Sequence, residues 1–179
     1  MNRFRIIAAA RNNEELKYAI KSNVEIIFML SVNINDIKNQ ADAVHKSGKK
    51  FFVHMDLAEG IGKDAYGVRF AKEQGADGII STRSNIIKMA KKEGLHTVQR
   101  LFAVDSQSVD TIVETASSSK PDMIEIMPGV LPKVVKRLKN ELDMPLIAGG
   151  LIDSYNEIDE LLSAGATAIS TGKKEFWNK

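Results

Sequence analysis

A chain of 179 residues, 44% hydrophobic and 27% charged, has the composition of a globular protein with one sizeable core. Its 25 Lys and Arg against 23 Asp and Glu leave a net charge of +2, which neither requires nor excludes a nucleic-acid partner. The absence of cysteine excludes disulfides, thiolate metal sites and a cysteine nucleophile, and no apolar run approaches the ~20 residues of a membrane span. The segment Met1 to Arg5 lacks the layout of a secretory signal, so the expectation is a cytoplasmic protein with no membrane association.

Short, nearly continuous apolar runs recur along the whole chain. The first covers residues 5–9 and is followed by Asn12 with Glu15, a helix-start pair. Runs at 24–30 and 50–55 come next, separated by a segment ending at Gly48, and the run at 78–81 follows a segment ending at Gly75. After Gly94 comes the run at 97–102. Val109, Ile112, Val113 and Ala116 then fall at helical spacing, before the run at 123–127. Leu131, Val134, Val135 and Leu138 repeat that spacing before 145–148. Ser154 with Glu157 reads as a capping box opening a helix through Ile158, Leu161 and Leu162, and Gly165 closes it before the last run, 167–170. A short helix over Lys173 to Trp177 is expected after that. Gly48, Gly75, Gly94 and Gly165 each stand just before a strand, where glycine suits the left-handed residue that ends a helix.

Eight strand–helix units without a linker predict a single α/β domain over 1–179, a compact (β/α)8 TIM barrel. An open doubly wound sheet is the rival architecture. Polar residues inside the strands favour closure, because the inward face of a barrel strand is where they are usable. His54 and Asp56 share parity, and Glu125 interrupts an apolar run and is expected to face inward. Gln99 and Arg100 are adjacent, so only one can do so. Arg11, Ser81, Thr82 and Arg83 stand at strand ends. A buried Glu125 needs a cationic or hydrogen-bonding partner, and Arg100 is the available strong cation, with Arg11 and Arg83 as alternates, as a structural pair or as the floor of a pocket.

The last two strands end in Gly149-Gly150 and Ser170-Thr171-Gly172, about twenty residues apart. The loops after strands seven and eight of this fold commonly bind phosphate. Gly149, Gly150 and Gly172 let backbone N–H groups close on an anion, Ser170 and Thr171 offer hydroxyls, and the short helix from Lys173 would add its positive end. Catalytic sets are not assembled. No strand interior carries a Schiff-base lysine, and His54, Asp56 and Glu125 do not make a convincing metal triad. A general base at Glu125 or Asp56 acting on a sugar phosphate stays open.

These residues fall in stretches that resemble the glycerol-3-phosphate-responsive antiterminator family. The stretches are Ile6 to Asn12, Phe52 to Leu57, Asp77 to Thr82, Val98-Gln99-Arg100-Leu101-Phe102, Pro121 to Gly129 with its Glu-Ile-Met-Pro-Gly, Ile147 to Ile152, and Ala168 to Thr171. They run in order over essentially the whole chain. The sequence departs from the family pattern at Arg83, where lysine is common, and at Ala58-Glu59-Gly60. The resemblance implies a non-enzymatic regulator without a cofactor or metal. It would bind glycerol 3-phosphate, or a similar small phosphate ester, and then the leader mRNA of a glycerol operon, so that a terminator does not form. Carried over by position, Gly149, Gly150, Ser170, Thr171 and Gly172 would hold the phosphate. Arg11, His54, Asp56, Arg83, Gln99, Arg100 and Glu125 would line the rest of the ligand site. The alternatives are a sugar-phosphate isomerase, epimerase or lyase of the same barrel type, and a sensor that binds protein instead of RNA. Homo-oligomerisation is compatible with either.

Overall fold

In the computed structural model, which describes residues 6–178, every expected apolar run contains a strand. The elements in order are β1 (Ile6–Ala10), α1 (Asn13–Lys21), β2 (Ile26–Met29), α2 (Ile37–Lys46), β3 (Lys50–His54), α3 (Ala65–Glu73), β4 (Gly78–Ser81) and α4 (Ser84–Lys92). There follow β5 (His96–Phe102), α5 (Ser106–Ser119), β6 (Met123–Met127), α6 (Pro132–Glu141), β7 (Leu146–Gly149), α7 (Tyr155–Ser163) and β8 (Ala168–Thr171). All eight strands are parallel and pair in sequence order, and β8 pairs back onto β1, which closes a TIM barrel and rules out the open sheet. Arg5, in the first expected run, and the segment Met1 to Arg5 lie outside the described residues.

Closure follows from the alternation of side chains across the strands. Ile7, Phe28, Phe52, Ile80, Val98, Ile147 and Ala168 meet in an inner apolar cluster. Their neighbours Ala8, Ile27, Phe51, Val53, Ile79 and Ile169 belong to the larger cluster shared with the helices. The inner cluster plugs the barrel. Gly78 faces inward in the same row as Ile80, and the Phe52 ring occupies the space a Cβ there would need, at 2.4 Å.

Helix ends behave as the glycine pattern predicts, with φ between +75° and +113° at Gly48, Gly75, Gly94 and Gly165. Ser154 and Glu157 form the reciprocal capping box. Asn12 caps the Glu15 N–H, but the Glu15 carboxylate turns back to the N–H and guanidinium of Arg11 instead of completing a box. The expected helix at Lys173 to Trp177 is a correction. Only a single 3-10 turn forms, Lys174–Phe176, held where Trp177 Nε1 donates to the Thr171 carbonyl at 2.8 Å. One turn carries no useful macrodipole, so that part of the anticipated phosphate site is lost.

Candidate functional site

Above the apolar plug lies a polar layer. His54, Arg100, Glu125 and Ser170 continue the inward rows of β3, β5, β6 and β8, in step with Phe52, Val98, Met123 and Ala168. Register sets Arg100 directly beside Glu125. The Arg100 Nε donates to Glu125 Oε2 at 2.6 Å, and the Ser170 hydroxyl donates to Oε1 at 2.5 Å. Glu125 is fully buried and Arg100 nearly so, so the pair is desolvated and both carboxylate oxygens are engaged.

Gly149 makes this arrangement possible. A Cβ at that inward position would lie 2.3 Å from Ser170 Oγ and 2.9 Å from Glu125 Oε1. His54 sits in the same layer, buried, with no hydrogen-bond partner for Nδ1 among the described residues. Burial, and then the Arg100 cation, push its pKa below the ordinary histidine value, so its imidazole is neutral near pH 7.

Asp56 follows β3 in a 3-10 turn, Met55–Leu57, and ties this turn to the end of β4. It accepts from Ser81 Oγ at 2.6 Å and from the N–H and hydroxyl of Thr82 at 2.7 and 2.8 Å. Burial raises its pKa, but these hydrogen bonds outweigh that, and the net direction is downward. Arg83 stays half exposed, with its guanidinium 3.9 Å from Asp56. Lys63 donates to the Ala58 and Ile61 carbonyls and cinches the β3–α3 loop.

Gln99 is a correction. It takes the outward parity, and its amide is committed to Ser119 Oγ on α5 and Ser84 Oγ on α4. It is a strut between strand and helices, and Arg100 is the member of the adjacent pair that faces the barrel interior. The candidate phosphate cradle also changes composition. Ser170 spends its proton on Glu125, and Thr171, on the outward row, accepts the Lys173 N–H at 3.0 Å. The backbone remains for an anion. Gly150 (φ +77°) and Leu151 (φ +58°) turn the β7 loop in the left-handed region, and a Cβ on Gly172 would lie 3.8 Å from Arg11 Nη2. Arg11 thus stands beside the β8 loop, next to Gly172.

Three residues enter the site that sequence reasoning did not single out. Phe102 and Met127 stand one step above Arg100 and Glu125 on the inward rows, as apolar walls of the mouth. Gly129 donates its N–H to the carbonyls of Gly149 and Gly150 at 2.5 and 3.2 Å and buttresses the β7 loop. A Cβ there would lie 2.6 Å from the Gly149 nitrogen. The only signal in the sequence was their place within the Gln-Arg-Leu-Phe and Glu-Ile-Met-Pro-Gly stretches.

Residues 6–177 match the family described as glycerol-3-phosphate responsive antiterminator. The chain belongs to that family. It is 39% identical over 173 residues to YgcP of Escherichia coli strain K12, described as uncharacterised, covering 96% of this chain and 91% of that protein. Two solved structures of the antiterminator type superpose over 97% of this chain. One is the glycerol uptake operon antiterminator regulatory protein of Listeria monocytogenes, with a TM-score of 0.91, 33% identity and 94% of that chain covered. The other is a glycerol uptake operon antiterminator-related protein of Thermotoga maritima, with a TM-score of 0.87, 31% identity and 98% covered.

Proposed function

We propose that the chain, acting as one domain over 1–179, senses glycerol 3-phosphate in the barrel mouth. Its ligand state then sets its affinity for the leader RNA of a glycerol-utilisation transcript, which prevents premature termination. The observation that carries the reading is the two-ended mouth. Arg11 and the Gly150, Leu151 and Gly172 backbone offer an anion site at one end, and the Arg100–Glu125 pair with His54 offers a polar floor at the other. A phosphate with a short hydroxylated tail fits such a pair of ends. Family membership supplies the regulatory context and the response to glycerol 3-phosphate.

Such a regulator works in the cytoplasm and needs no cofactor or metal. The enzymatic alternative would fall to Glu125, whose carboxylate is fully buried and already holds Arg100 and Ser170. The test is RNA affinity with and without ligand. Filter binding of a glycerol-operon leader transcript to the whole protein, at two salt concentrations, is expected to tighten at least ten-fold with saturating glycerol 3-phosphate. Equal affinity in both conditions sinks the regulatory mechanism.

A further inference from the structure

The two partners of the buried ion pair meet the pocket mouth on unequal terms. The Glu125 side chain has no exposed surface, whereas 9% of the Arg100 side chain stays exposed. The inward row below Arg100 runs into Val98 and the apolar plug, so solvent reaches this side chain from the mouth. A ligand in the mouth takes the place of that solvent. It therefore meets Arg100 and not Glu125.

What Arg100 offers there is a set of unspent donors. A guanidinium carries five N–H groups in a planar fork. Arg100 commits its Nε–H to Glu125 Oε2 at 2.6 Å, and its four Nη hydrogens have no acceptor among the described residues. Donors placed this deep select strongly, because a ligand atom that cannot accept leaves them desolvated and unpaired. Phe102 and Met127, one step above, are apolar and offer a polar tail nothing in their place.

The rest of the layer holds the carboxylate still. Arg100 stands opposite Glu125 in the β5–β6 register. From β8, on the far side of β7, Ser170 Oγ donates to Glu125 Oε1 at 2.5 Å, and Gly149 between them lacks the Cβ that would push them apart. Glu125 is thus gripped on one side and grips the guanidinium on the other. It does so at Nε, the nitrogen nearest the main chain, which leaves the outer edge of the fork free.

We infer that Arg100 is the ligand-contacting member of this pair, taking the oxygens of a hydroxylated tail on its Nη groups, and that Glu125 is a positioning residue that aims the guanidinium. The inference deepens the reading of the mouth as a glycerol 3-phosphate site and rests on it. The site accepts phosphate esters whose tail presents oxygen lone pairs. It rejects those ending in an ammonium group, which would set donors against donors beside a cation whose carboxylate is sealed off.

Calorimetry on the whole protein compares glycerol 3-phosphate with propyl phosphate, which lacks the hydroxyls, and with aminoethyl phosphate, which ends in an ammonium group. Glycerol 3-phosphate is expected to bind at least about ten-fold tighter than either. Arg100→Lys keeps a cation beside Glu125 but has no fork, and should bring the preference for glycerol 3-phosphate over propyl phosphate down to about three-fold or less. Glu125→Gln should lower that preference too. Because Glu125 acts through Arg100, adding Glu125→Gln to Arg100→Lys should change it by less than about two-fold more. If the two losses multiply in the double variant, Glu125 touches the ligand itself and the inference falls. It falls also if Arg100→Lys keeps the wild-type preference. On the wild type alone, either probe binding as tightly as glycerol 3-phosphate overturns it. Each of these results leaves glycerol 3-phosphate binding, and with it the sensing reading, in place. No binding of glycerol 3-phosphate to the wild type overturns the sensing reading and this inference together.

Discussion

Replacing Gly149 with alanine probes the polar layer most sharply. The added methyl would lie 2.3 Å from Ser170 Oγ and 2.9 Å from Glu125 Oε1. Both partners are buried and bonded to each other, so neither can swing into solvent to make room. Overpacking of this kind costs about 1–3 kcal/mol. Displacing Ser170 also forfeits a hydrogen bond to a charged group, worth about 1.5–3 kcal/mol. The sum, about 2.5–6 kcal/mol, corresponds in a chain of this size to a Tm lowered by roughly 5–24 °C. Ser170→Ala alone loses only the hydrogen bond, and in the double variant the closer clash is gone while the contact with Glu125 Oε1 at 2.9 Å stays. Urea unfolding of the double variant should therefore show a smaller loss than the sum of the two single variants, a non-additive cycle. If Gly149→Ala is harmless, or if the two costs simply add, the close approach is not what requires glycine here.

Two further outcomes follow from the same layer. Arg11→Ala should weaken glycerol 3-phosphate binding by roughly ten- to a hundred-fold by calorimetry, as expected for one charge-assisted hydrogen bond, with little change in stability because its side chain is 66% exposed. His54 has a folded-state pKa below its unfolded value, so its contribution to stability is complete above about pH 6.5. That contribution is lost as the pH falls from there toward the folded value, at up to about 1.4 kcal/mol per pH unit. Asp56, also lowered, acts only below about pH 4, outside a scan from pH 7.5 to 5. Thermal unfolding between pH 7.5 and 5 should show this slope in the wild type and a flatter profile in His54→Phe; equal slopes contradict the assignment.

Strand positions were legible because both faces of each strand are buried, which gives runs such as Ile79-Ile80 or Met123 to Met127 their continuous apolar character. Parity also placed Glu125 and His54 inward, and the need of a buried carboxylate for a cation pointed to Arg100. Parity could not choose between Gln99 and Arg100. Ser84 and Ser119, which claim Gln99, are 15 and 20 residues away in sequence. The diversion of Ser170 to Glu125 spans 45 residues and depends on an absent Cβ at Gly149, which no local pattern encodes. Phe102 and Met127 read as ordinary core, and only their height on the inward rows makes them walls of a mouth.

Isothermal titration of the whole protein with glycerol 3-phosphate, against glycerol and inorganic phosphate, tests the sensing claim most directly. The expected result is one site per chain for glycerol 3-phosphate, at least ten-fold tighter than for either fragment. At a hundred times Kd, that site should add about 2.7 kcal/mol of stability. No binding at millimolar concentrations, or inorganic phosphate binding as tightly as the ester, would contradict a pocket built around both of its ends.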